Sequence, residues 1–201
     1  MIRLGILGST RGTNLNAIVE AINNKTLCAS IEVVISNKVS APILEKAANF
    51  GINPVYISQQ GLSREEFDKQ LSSLLSRHHV DFVVLIGYMR ILSTPFITTW
   101  KDKIINVHPS LLPAFAGLMD LDVHRAVINA AHDVSGCTVH FVTEEVDAGP
   151  IIVQKKCPVF VEDSPESLKI RVQQMEGELL VEAIQRLLQD STLHSSFITN
   201  L

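Results

Sequence analysis

An amide and an imidazole stand two residues apart in the stretch Asn106-Val107-His108-Pro109-Ser110-Leu111-Leu112-Pro113. In an extended chain, side chains two positions apart face the same way. Such a pair can hydrogen-bond a carbonyl oxygen and stabilise the negative charge it gains under nucleophilic attack. The pair closes the apolar run Ile104-Ile105, which reads as a buried strand, and the prolines shape the loop behind it. Polar residues leaving a strand end are where open α/β sheets do chemistry. The same two residues could also serve only to tie down that loop, so other segments have to be weighed.

Gly8-Ser9-Thr10-Arg11-Gly12-Thr13-Asn14 lies between a short apolar run and a helical pattern. Glycines there let backbone N–H groups approach an anion, and a helix N-terminus favours negative charge. The spacing is not G-x-G-x-x-G, and Ser36-Asn37-Lys38 stands where a dinucleotide site would place an acid. A phosphomonoester is therefore a better ligand than NAD, though such glycines also serve a tight strand-to-helix turn that binds nothing. Gly87-Tyr88-Met89-Arg90-Ile91-Leu92 can form a pocket wall, with Met89, Ile91 and Leu92 against a flat ring and Arg90 near an anion. The apolar members could equally be ordinary core.

Asp147 sits in the turn Asp147-Ala148-Gly149-Pro150. Beside His108, its carboxylate would orient the imidazole and raise its pKa. His108, His140 and Asp147 could instead bind a metal, but their spacing follows no zinc signature, and no metal is expected. The other histidines, His124 among them, show no partner pattern and read as surface or helix residues. Gln173 and Glu176 share a helical face outside the apolar stripe, and by themselves read as an exposed pair.

The elements that must position these groups alternate along the chain. Strands are expected at Arg3 to Leu7, Ile31 to Ile35, Pro54 to Ile57, Asp81 to Ile86, up to Asn106, Thr138 to Val142 and Ile151 to Val153. Helices are expected at Leu15 to Ile22, at Ser40 (as cap) to Phe50, behind the capping box Ser63-Arg64-Glu65-Glu66, at Pro95 to Trp100, at Asp122 to Ala131, and from Ser164-Pro165 onward. In the last, Leu168, Val172, Met175, Leu179, Ala183 and Leu187 step by three or four and face the core. The pattern implies an α/β fold, a Rossmann-like doubly wound, mostly parallel sheet with helices on both faces. Residues 1–190 read as a single domain and 191–201 as a polar, loosely held tail.

The 201 residues are 46% hydrophobic and 19% charged, with a net charge of −4, which suits a soluble globular domain and leaves no electrostatic footprint for nucleic acid. Cys28, Cys137 and Cys157 form no CxxC and no disulfide framework, so a cytoplasmic setting is expected. No secretory signal is visible, and no apolar run approaches the about 18 residues of a membrane span.

Taken together, Gly12-Thr13-Asn14, Ser36-Asn37-Lys38, Gly87 to Leu92, Asn106 to Pro113, Thr138 to Val142, Asp147 to Pro150 and Arg171-Val172-Gln173 resemble the phosphoribosylglycinamide formyltransferases, folate-dependent enzymes of purine synthesis. They fall in family order over about residues 1–190. The resemblance implies transfer of a formyl group from 10-formyltetrahydrofolate to the amine of glycinamide ribonucleotide. It casts Asn106 and His108 as oxyanion donors and Asp147 as support for His108 and for a proton-relaying water. Gly12, Thr13 and Asn14 would hold the phosphate, with Gln173 and Glu176 at the glycinamide and ribose end. Met89, Arg90, Ile91, Leu92 and Val142 would frame the folate, and Arg64 would reach its tail. Lys38 receives no role.

The chain departs from many relatives at Thr10 (often glycine), Thr13 (often serine) and Ala116 (often proline), and Leu118 to Val123 differs from the better-known bacterial form. The partners implied are small molecules, without nucleic acid or membrane, in a monomer or homodimer. The related formyltetrahydrofolate hydrolase carries an N-terminal regulatory domain, whereas the sequence begins at its first strand. Methionyl-tRNA formyltransferase needs a C-terminal nucleic-acid domain. A non-catalytic phosphate-binding module would leave Asn106, His108 and Asp147 without purpose.

Overall fold

On the central strands, residues two apart pack into the same one of two apolar clusters and their immediate neighbours into the other. In β1 (Ile2–Leu7), Leu4 and Ile6 join one cluster and Leu7 the other; in β4 (Phe82–Leu85), Val84 joins the first and Val83 and Leu85 the second. A sheet covered on both faces requires this division. The structure is a computed structural model that describes residues 1–198, with side chains through residue 189.

The other strands are β2 (Ala29–Ser36), β3 (Pro54–Tyr56), β5 (Ile104–His108), β6 (Val134–Phe141) and β7 (Ile151–Pro158). They form one seven-stranded sheet in the order β3-β2-β1-β4-β5-β6-β7. The pairs from β3 to β5 are parallel, while β6 runs antiparallel to both β5 and β7. Strand order therefore reverses between β1 and β4, opening a crevice at their C-terminal ends.

One face is covered by α1 (Thr13–Asn23) and α6 (Pro165–Ile198), together with buried residues of α2 (Pro42–Asn49) and α5 (Leu121–Asn129). The other is covered by α3 (Arg64–Arg77) and α4 (Thr94–Thr99). Full burial of a side chain such as Leu71 contributes roughly 1.5–3 kcal/mol. The capping box forms as expected: Ser63 accepts from the Glu66 N–H at 3.2 Å, and Glu66 accepts from the Ser63 N–H at 2.8 Å.

Two boundaries differ from expectation. Ser40 does not cap α2; Ala41 holds that position without a side-chain cap, because Pro42 occupies the first turn with its φ already helical. Both β6 and β7 extend beyond the apolar runs expected of them, because they pair along their full antiparallel length. The stripe of α6 packs as expected, with Leu168, Val172, Leu179, Ala183 and Leu187 buried. The boundary expected near residue 190 falls inside α6, and the packing of the tail lies outside the described residues.

Candidate active site

Loops leaving β1, β4 and β5 converge on the crevice, where they line a cavity of about 750 Å³ together with the 142–147 turn and one face of α6. Its lining includes Gly12 to Asn14, Met89 to Leu92, Asn106, His108, Val142, Asp147, Gln173 and Glu176. Of the expected site residues, only Arg64 is absent from it; Arg64 lies exposed in the first turn of α3.

The β5–β6 ladder sets the reactive wall. Antiparallel pairing puts His140 opposite Asn106 and Thr138 opposite His108. Buried Thr138 then clamps the loop after β5: its hydroxyl donates to the Ser110 carbonyl at 2.6 Å and accepts from the Leu112 N–H at 3.1 Å. Asp147 comes from the turn between β6 and β7 at φ +56°, a left-handed conformation that costs a non-glycine residue free energy. The turn returns tightly: a Cβ on Gly149 would sit 1.8 Å from the Phe141 carbonyl oxygen, so only glycine fits.

Asp147 Oδ2 lies 3.2 Å from His108 Nδ1 and accepts from the Gly117 N–H at 2.9 Å. Its Oδ1 lies 3.6 Å from His140 Nε2. His140 Nδ1 lies 2.8 Å from the Phe141 carbonyl, which can only accept, so this nitrogen carries the ring proton. In the neutral ring, Nε2 then accepts from the Asn106 amide Nδ2 at 3.3 Å. One amide hydrogen is thereby fixed and the other is left for a substrate.

His108 has acceptors at both nitrogens, with the Phe115 carbonyl 3.3 Å from Nε2. Asp147 and Phe115 both favour its charged form, yet burial outweighs them and holds its pKa below the ordinary histidine value. The carboxylate raises that pKa as expected, but desolvation is the larger effect and leaves the net shift downward. Burial likewise lowers His140. The shifts favour the neutral form of both rings at pH 7, in which His108 can donate to only one of its two acceptors. Negative charge developing beside His108 would add to Asp147 and favour imidazolium.

The opposite wall is built for an anion. Gly12 takes φ +60° before α1, and a Cβ there would meet Ile43 at 2.4 Å. No side chain caps this helix; the Leu15 N–H donates to the Gly12 carbonyl at 3.2 Å, and the Thr13 and Asn14 N–H groups are left to a ligand. Glu176 is buried, and Asn14 Nδ2 donates to it at 2.9 Å. Burial pushes the Glu176 carboxyl up, while Asn14 and Lys169 pull it back. The reading of Gln173 and Glu176 as an exposed pair is therefore corrected: α1 packs on this face of α6 and brings both side chains to the cavity.

On the third side, exposed Met89 and Ile91 give an apolar lining. Arg90 donates to Gln59 and lies 4.3 Å above the Phe67 ring, which anchors that wall.

Two site histidines escape sequence reasoning. His140 looked notable only as a metal ligand, because its role depends on the β5–β6 register. His124, read as surface or helix, is on α5 but is 1% exposed, with Nδ1 lacking a partner. Burial, then Lys169, push it down to about 4. Its spacing four residues before Ile128 and three before Val127 was the available signal.

A doubly wound sheet with this constellation at its switch point defines a class. Residues 2–184 match the family described as formyl transferase, and the chain belongs to it. It is 40% identical over 172 residues to the phosphoribosylglycinamide formyltransferase of Escherichia coli, covering 85% of this chain and 80% of that one. It is 43% identical over 185 residues to the trifunctional purine biosynthetic protein adenosine-3 of Gallus gallus, covering 92% of this chain but spanning only 18% of that protein. The structure of glycinamide ribonucleotide transformylase 1 from Symbiobacterium toebii superposes with a TM-score of 0.87 at 41% identity, over 92% of this chain and 86% of that one.

Proposed function

We propose that this chain transfers the formyl group of 10-formyltetrahydrofolate to the amine of glycinamide ribonucleotide in de novo purine synthesis. The carrying observation is the linked set Asn106–His140 and His108–Asp147 on one wall of a cavity whose opposite wall is an uncapped helix N-terminus. Asn106 offers its free amide hydrogen to the formyl oxygen, and His108, exchanging its Nε2 contact with the Phe115 carbonyl for the substrate, supports the same oxygen as the amine adds to the formyl carbon. The C–N bond to the folate nitrogen then breaks, and that nitrogen takes the electron pair. One proton leaves the attacking amine and one arrives at the departing nitrogen. Asp147, anchored by His108 and Gly117, holds the water that relays it. The mechanism calls for no metal.

Gly12, Thr13 and Asn14 hold the phosphate, and Gln173 and Glu176 face the sugar end. Met89, Arg90, Ile91, Leu92 and Val142 frame the pterin, and Arg64 meets the polyanionic tail outside the cavity. We place the enzyme in the cytoplasm, in keeping with its three free cysteines, as a monomer or homodimer. No helix among the described residues is long and apolar enough to cross a membrane. The test is formyl transfer with each substrate alone and with both. Turnover only with both supports the proposal; release of formate from the folate alone indicates a hydrolase, and no turnover indicates a binding module.

A further inference from the structure

The mechanism above gives no role to Lys169, a cation that lines the cavity. Lys169 lies on α6 four residues before Gln173 and seven before Glu176, so the three share a face, and all three line the cavity with Gly12 to Asn14. The other permanent cations among its lining residues are Arg11, which is exposed, and Arg90, which is committed to Gln59 and Phe67. The Lys169 ammonium is paired with Asp120, and its side chain is only 23% exposed.

Asp120 is an unusual partner. It immediately precedes α5 at φ 54° and ψ −130°, a conformation that L-residues rarely adopt. It does not cap that helix; its carboxylate, 63% exposed, reaches Lys169 instead. Backbone strain of this kind persists only where surrounding contacts hold it, and it clusters at ligand sites. Beneath the pair lies buried His124.

We propose that Lys169 is a specificity-determining residue for the phosphate-bearing substrate and that Asp120 holds it at the rim until that substrate arrives. The inference rests on the proposed function and deepens it. An exposed ion pair contributes little, whereas a phosphomonoester carries a charge near −1.5 to −2 at pH 7 and three acceptor oxygens. The incoming phosphate therefore outcompetes Asp120 for the ammonium and adds a charge-assisted hydrogen bond to those of the α1 N-terminus.

The two partners then act with opposite signs. Lys169→Met should raise KM for glycinamide ribonucleotide roughly tenfold or more, with little change in kcat or in affinity for a folate analogue. Asp120→Asn should lower the same KM, by roughly two- to fivefold, because it frees the lysine. The double variant should match Lys169→Met. A pair that merely braces α5 against α6 would weaken binding in both single variants. The proposal is overturned by any result in which the two do not move KM in opposite directions. Thermal melts check folding, and Lys169→Gln replaces Lys169→Met if the apolar side chain misfolds. Wild-type protein that fails to formylate the ribonucleotide would sink the functional reading instead, a different result from a working enzyme whose two variants behave alike.

Discussion

On the β5–β6 side of the cavity the polar groups are buried or half-buried and linked in a chain: Phe141 orients His140, His140 orients Asn106, and Gly117 and His108 fix Asp147. On the α1–α6 side the buried Asn14–Glu176 bond lies behind an open rim, with an exposed Thr13, an uncapped helix end and an ion pair at the mouth. The first arrangement loses little orientation entropy when negative charge develops, which is what oxyanion stabilisation demands. The second must admit and release a charged substrate, so its contacts are ones that water and ligand can exchange. The contrast implies that changes on the first wall alter turnover and changes on the second alter affinity.

The largest test of that division is His108→Ala. It should cut kcat by on the order of 100- to 1000-fold, the usual cost of one oxyanion donor, while KM for the ribonucleotide moves little. Turnover measured beside a thermal melt checks this. Wild-type kcat in a folded variant would remove His108 from the chemistry.

Acid stability should report the buried histidines next. His108, His124 and His140 all have folded pKa values below the unfolded value of 6.5. Between those values the unfolded chain binds more protons, so stability is full above about pH 6.5 and falls as pH drops through that window. For His124 the window runs from 6.5 to about 4, worth on the order of 3 kcal/mol. His124→Leu should flatten this part of a denaturation-versus-pH curve. An unchanged slope would mean that His124 is not held neutral.

Asp147→Asn should lower kcat roughly 10- to 100-fold, the cost of losing a charged hydrogen-bond partner. The amide keeps the shape of the turn and removes the charge that raises His108. The His108 limb of the pH–rate profile should therefore move to lower pH. A near-normal rate with an unshifted profile would assign Asp147 to the turn alone.

Much of this contrast could be read in the chain itself, and the exceptions share a cause. The Asn106–His108 pair, the glycine loop, the Ser63 capping box and the α6 stripe are local patterns, set by spacing along one strand, turn or helix. The Asn106–His140 bond, the burial of Glu176 and the placement of His124 arise between elements distant in sequence. They depend on β5–β6 register and on α1 and α5 packing against α6, which residue periodicity does not encode. The pKa of His108 belongs with them: the neighbouring carboxylate was legible, but the burial that outweighs it was not. The loop before α5 holds Asp120, whose partner only the fold reveals.

The smallest expected effect sharpens the division from the binding side. Thr13 is the first residue of α1 and is exposed. Aspartate in a first helical turn interacts favourably with the helix dipole, so Thr13→Asp should leave the melting temperature unchanged or slightly raised. The same carboxylate would stand where the phosphate must sit, and like charges in that position repel. KM for the ribonucleotide should rise about tenfold, a change of about 1.4 kcal/mol, and should recover in part at high salt because the site is open to screening. Affinity for a folate analogue, bound against Met89 and Ile91, should stay within about twofold, since such a difference is under 0.5 kcal/mol. Equal loss of both ligands in a stably folded variant would show that the loop serves the whole cavity, and the separation into a chemical wall and a binding wall would fail.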